Sequence, residues 1–161
     1  MDGKRDGTGA GHGSVKRILP PTYFLLTLLA MIALHVGIPS SRYWSFPLAF
    51  AGIVPLALGV VLNIAADREF KKHQTTVKPY EISSALITAF PFSFSRHPMY
   101  FGMVLVLIGI ALLLGTAWSA LPVFVFVCVV AYAFVPDEER MLAETFGDEW
   151  QAYRSQVRRW I

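Results

Sequence analysis

The sequence predicts an all-α polytopic membrane protein with four transmembrane helices followed by amphipathic helix at the C-terminal end. Two observations carry this. The 161 residues are 55% hydrophobic and only 16% charged, too apolar for an ordinary soluble domain of this length. The charges also avoid two long blocks, residues 18–66 and 98–136, in which Arg42 is the single charged side chain. A bilayer core of about 30 Å needs about 20 helical residues to cross, so each block accommodates two crossings joined by a short turn.

Residues 1–17, "MDGKRDGTGAGHGSVKR", are polar and glycine-rich, with nothing to bury, and are expected to form a disordered tail ahead of one domain over residues 18–161. The first apolar helix starts at Pro20 and Pro21, where missing amide protons cost little, and ends near Gly37 and Pro39. No A-x-A cleavage pattern follows it, so it reads as a retained helix. The second covers residues 47–66, with Pro55 expected to kink it. Residues 67–96 form a polar connection too long for a plain hairpin, the kind of loop that carries function. The third helix covers residues 99–114, "GTAWS" makes a tight turn, and the fourth covers residues 120–135 with Pro122 in its first turn. Beyond Pro136, Leu142, Phe146, Trp150, Tyr153, Val157 and Trp160 recur every three or four residues. That spacing makes an apolar helical stripe suited to a membrane surface, with Gly147 as its break.

All fourteen Lys and Arg except Arg42 lie in the segments before the first helix, between the second and third, or after the fourth. The positive-inside rule then places both termini and the long connection on the cytoplasmic side of the inner or plasma membrane. Cys128 has no partner for an intramolecular disulfide. Within the spans, Gly102 and Gly109, seven apart, are suited to close approach of a neighbouring helix, Asn63 to a bond across helices, and His35 to a structural role.

The polar residues that could carry chemistry converge on one end of the bundle. Arg96 and His97 precede the third helix and Glu138 and Glu139 follow the fourth; a short hairpin between those helices brings the cation pair and the carboxylate pair side by side. Each also has a bland reading: a His-Pro helix entry, an interfacial arginine, acidic residues matched to a helix start. Together with Tyr100 one turn on, they form a candidate site.

"RHPMYFG", followed after the hairpin by "EERMLAETFGDEWQAYRSQVRR", resembles the integral membrane methyltransferases typified by isoprenylcysteine carboxyl methyltransferase and phosphatidylethanolamine N-methyltransferase. The shared pattern is R-H-P-x-Y, E-E-x-x-L, F-G, Y and V-x-R. The resemblance implies an S-adenosylmethionine-dependent enzyme whose cofactor-binding part is residues 67–161, open to the cytoplasm, with a lipophilic or membrane-permeable acceptor entering from the bilayer. It implies cofactor contacts from His97, Pro98, Met99 and Tyr100, from Glu138 or Glu139, and from the stretch Ser84, Ala85, Leu86 and Ile87, with Arg96 and His97 as the candidate catalytic pair. The arginine that meets the substrate carboxylate in the prenylcysteine enzymes is replaced by Phe134, which is then expected to touch the acceptor. The chemistry needs neither a metal nor nucleic acid: the cofactor's ammonium and carboxylate match a site holding Glu beside Arg and His, and the protein has mainly to align the acceptor and exclude water. His97 could instead serve as a base for an amine or thiol acceptor. Two alternatives stay open, a non-catalytic lipid-binding or partner-binding protein of the same fold and a reductase with a nicotinamide cofactor.

Overall fold

The computed structural model describes residues 19–38, 47–73 and 85–161; the expected tail and Ser84 lie outside them. Helix α1 (Pro20–Gly37) begins with its two prolines in the first turn, where their missing N–H groups would have had no intrahelical partner. A 3₁₀ turn (Leu48–Gly52) leads into α2 (Ile53–Lys72). This corrects the expected kink at Pro55: the change from 3₁₀ to α places the proline in the first turn of α2, so no interior hydrogen bond is lost. Helix α2 also runs past residue 66, and the start of the expected long connection is helical. Lys71 pairs with Asp67 at 2.6 Å, Lys72 lies 3.7 Å from Glu69, and the His73 N–H closes the last turn on the Glu69 carbonyl at 3.1 Å.

Helix α3 (Pro98–Leu114) packs antiparallel on α2 through two glycine pairs. A Cβ at Gly59 would collide with the Gly102 carbonyl, and one at Gly52 with the Gly109 carbonyl. The seven-residue spacing seen in α3 is thus matched in α2, and the absent side chains let the backbones touch. Among the described residues, Asn63 makes no hydrogen bond across this interface. Its Nδ2 donates to the Gly59 carbonyl of its own helix at 2.8 Å, and the amide lies against Gly102, filling the space a Cβ would need.

Gly115, at φ 72°, ends α3 in the left-handed conformation. The following turn is held by Ser119, whose hydroxyl donates to the Thr116 carbonyl at 2.5 Å; His35 of α1 lies 3.5 Å from the Thr116 hydroxyl, a structural tie at the end of the bundle far from His97. Helix α4 (Ala120–Val129) continues through a π-helical turn (Val130–Phe134) into α5 (Val135–Gln156). The Val135 N–H reaches back five residues to the Val130 carbonyl. The widened turn directly precedes Pro136, whose ring would clash with a carbonyl four residues back in a regular helix. The fourth apolar helix and the amphipathic segment are therefore continuous.

Three of these helices, Pro20–Gly37, Ala49–Lys72 and Ala117–Gln156, are long and apolar enough to cross a membrane, and Pro98–Leu114 is a shorter apolar helix. Met31, Leu107, Phe126, Val130, Phe134 and Val135 form the main core between α1, α3 and α4. Leu25, Leu29, Val61 and Phe124 face outward, as apolar side chains do where lipid is the solvent.

Candidate functional site

The segment entering α3 is a sequence of turns that leaves backbone groups to be satisfied from elsewhere. Ser95, fully buried, accepts the His97 N–H on its hydroxyl at 3.2 Å and donates that hydroxyl to the Arg159 carbonyl at 3.3 Å. The Arg96 N–H donates to the Arg158 carbonyl at 3.1 Å. His97 stands at the N-terminal cap of α3 with Pro98 behind it. The chain beyond α5 is brought here by a kink at Gly147 (φ 49°, ψ −117°), a conformation that disfavours any residue with a Cβ. Past the kink, the Tyr153 hydroxyl donates to the Phe92 carbonyl at 2.7 Å, and the Arg96 guanidinium lies 5.7 Å from the centre of the Trp150 ring.

Glu139 is the hub of the resulting cluster. Arg159 grips it with both ends of its fork, Nε to Oε1 at 3.2 Å and Nη2 to Oε2 at 2.6 Å. His97 Nε2 donates to Oε1 at 3.3 Å, and Arg96 Nη1 lies 3.0 Å from the same oxygen. One carboxylate thus faces three cationic side chains, two of which are sealed off: the His97 side chain is 1% exposed and that of Arg96 9%. Glu138 differs. Its side chain is 37% exposed, and its Oε2 lies 3.6 Å from His97 Nδ1, beyond hydrogen-bond reach. Within the cluster, the buried atoms Glu138 Oε2, His97 Nδ1 and Arg96 Nε make no hydrogen bond to the described residues, while Arg96 Nη1 is held by its ion pair with Glu139. Aromatic rings wall the imidazole: Tyr100 stacks on it at 5.8 Å and Trp160 is tilted against it at 6.2 Å.

Burial pushes the His97 pKa down, but the Glu138 and Glu139 carboxylates outweigh it and the net direction is up from the ordinary 6.5. The two carboxylates thus favour the imidazolium, in which both ring nitrogens are donors. Arg159, bonded to Glu139, is likewise held more firmly in its charged form.

The structure brings Arg96, His97, Tyr100, Glu138 and Glu139 together, as their sequence positions predict. Met99 turns the other way, onto a second apolar cluster of Ala66, Ile87 and Phe92. Ile87 thereby joins the underside of the His-Pro-Met-Tyr stretch, while Ala85 and Leu86 are half-buried. Pro98 is buried at the start of α3. Phe134 is buried in the main core, edge-on to Tyr23 at 5.4 Å. Sequence reasoning named neither Arg159 nor Trp160 as site residues. Arg159 lies twenty residues from Glu139, past a helix break, and its only signal was the final position of V-x-R.

A family model described as phospholipid methyltransferase matches residues 48–149. The match spans α2, α3, α4 and the Glu138/Glu139 pair and stops before Arg159. A Haemophilus influenzae protein described as uncharacterized is 36% identical over 63 residues, 39% of this chain and the whole of that protein. No solved structure matches the chain.

Proposed function

The chain belongs to the phospholipid methyltransferase family, and from that premise we propose that it transfers a methyl group from S-adenosylmethionine to a lipophilic or membrane-permeable acceptor at the cytoplasmic membrane face. The observation that carries this reading is the set of buried, unpartnered polar atoms beside the Glu139 hub: Glu138 Oε2 as an acceptor, with His97 Nδ1 and Arg96 Nε as donors. An unmade hydrogen bond in a buried site costs about 1–3 kcal/mol, so such a grouping fits a ligand that brings both a cation and an anion. The amino-acid end of S-adenosylmethionine has both, an ammonium for Glu138 and a carboxylate for Arg96 and His97.

When bound, the cofactor supplies a methyl group already activated on a sulfonium. The protein's part is then to bind, orient and keep water out. In this reading Glu139, filled by its three cations, fixes the ring of His97 through Nε2 and leaves Nδ1 for the ligand. Tyr100 and Trp160 cover the imidazole, and Phe134, buried beside Tyr23 in the core, is the residue expected nearest the acceptor. Helix α3 is taken as a fourth crossing beside α2, with both termini and the connection preceding α3 in the cytoplasm, where the basic residues concentrate.

Calorimetry on the purified chain in lipid nanodiscs tests the proposal. S-adenosylmethionine and S-adenosylhomocysteine should bind and nicotinamide nucleotides should not. Folded protein that releases no heat with either adenosyl compound contradicts the methyltransferase reading, and binding of a nicotinamide nucleotide supports a reductase instead.

A further inference from the structure

The segment after α5 is outside the family match, yet it touches the cluster at four points: the Arg158 and Arg159 carbonyls, the Arg159 side chain and the Trp160 ring. We infer that Arg159 is a positioning residue for this site: by chelating Glu139 it holds that carboxylate as the fixed partner of His97 Nε2 and leaves Glu138 as the carboxylate that meets a ligand cation. The part concerning a ligand rests on the methyltransferase reading; the part concerning Glu139 and His97 does not.

The geometry argues against the opposite role, in which Arg159 would plug the place of a ligand cation. Both oxygens of Glu139 are engaged. Oε1 has His97 Nε2, Arg96 Nη1 and Arg159 Nε around it, and Oε2 has Arg159 Nη2 in the shortest contact of the cluster. The atoms without a hydrogen bond lie instead on Glu138 Oε2, on the far nitrogen of His97, and on Nε of Arg96, whose Nη1 is the atom turned to Glu139. A plug would leave open atoms near the position it blocks and none elsewhere. The planar fork matters as well as the charge, because one guanidinium fixes both carboxylate oxygens at once, which a lysine cannot do. The backbone of the same segment is tied to Ser95 and Arg96, so the guanidinium is delivered from a strut fastened to the turn that carries His97.

Among the described residues, the charged groups facing His97 are Glu138 and Glu139 of α5 and its neighbour Arg96, with Arg159 acting through Glu139; the rings against it are Tyr100 and Trp160. Removing Arg159 takes away one cation and frees Glu139 Oε2, so both changes favour the imidazolium. The titration midpoint of His97, read by nitrogen NMR of histidine-labelled protein in ligand-free nanodiscs and assigned by its loss in His97→Gln, should rise by about half a unit or more in Arg159→Gln. Arg159→Lys should stay between the two. S-adenosylhomocysteine affinity should fall roughly tenfold in Arg159→Gln, as for loss of one charged hydrogen bond. Arg158→Gln removes the same charge from an exposed side chain without touching the chelate and should move neither quantity. Unfolding of Arg159→Gln is checked by circular dichroism, and Arg159→Lys then carries the comparison. An unmoved His97 midpoint, or tighter binding in Arg159→Gln, overturns the inference. A shifted midpoint in a protein that binds no adenosyl compound upholds the positioning role and sinks the methyltransferase reading alone.

Discussion

Glu138 and Glu139 are neighbours of identical chemistry whose replacement by glutamine should have different consequences. Glu139→Gln leaves the guanidinium of Arg96, 9% exposed, and the imidazole of His97, 1% exposed, facing a neutral amide. Breaking a buried ion pair by removing one partner costs about 3–5 kcal/mol. Arg159 is 41% exposed, can turn to water and contributes little to that cost, so the lower end, about 3 kcal/mol, applies. At roughly 2–4 °C per kcal/mol for a domain of this size, melting in detergent micelles should drop by about 6–12 °C. Glu138→Gln removes a charge from a 37% exposed side chain whose inner oxygen has no bonded partner. Melting should fall by less than in Glu139→Gln, since this carboxylate lies 3.6 Å from His97 Nδ1 and is partly open to water, while affinity for S-adenosylhomocysteine should fall about 10-fold to 150-fold, the equivalent of about 1.5–3 kcal/mol. If Glu139→Gln melts with the parent protein, or if Glu138→Gln is the more destabilised variant, the division into hub and ligand-facing carboxylate is wrong.

Three further outcomes are expected. His97 binds its proton more tightly folded than unfolded, so its contribution to stability is complete below the ordinary 6.5 and is lost as pH rises through the folded-state value; melting followed upward from about pH 6 should decline in the parent and less so in His97→Gln. Gly59→Leu should part α2 from α3, because a Cβ there meets the Gly102 carbonyl and lies 2.8 Å from the Val106 nitrogen. The loss, read by denaturation in micelles, should be roughly 1–3 kcal/mol, with Gly37→Ala, where a Cβ meets nothing within 4 Å, as the neutral control. Single cysteines at Gly11, Gln74 and Ser155 in a Cys128→Ser background should resist an impermeant thiol reagent in intact cells; labelling of any one from outside overturns the proposed topology.

The parts of the fold legible in the sequence are those punctuated by chemistry. Pro20 and Pro21 mark the start of α1, Gly115 closes α3, and the Gly102/Gly109 spacing announces a close helix contact. Reading failed where local chemistry has two outcomes. The charges of residues 67–72 read as a loop, yet pairs one turn apart keep them helical. Pro136 read as a boundary, yet the π turn before it carries the helix through. In the site, a hairpin makes the meeting of Arg96 and His97 with Glu138 and Glu139 predictable. The distinction between the two carboxylates was not, because it depends on Arg159. That residue reaches Glu139 only after a kink at Gly147 and a turn beyond Gln156, and no periodicity survives that path.

The central proposal is that the cluster at the start of α3 and α5 holds a methyl donor for an acceptor in the membrane. The most direct measurement incubates the chain, in nanodiscs supplemented with its host's lipid extract, with S-adenosylmethionine labelled in the methyl group, and follows the label into the organic phase and headspace. The account predicts label in a membrane-soluble or volatile product from the parent protein, with little from Glu138→Gln or His97→Ala at the same cofactor concentration. Transfer by those variants at the parental rate would contradict it.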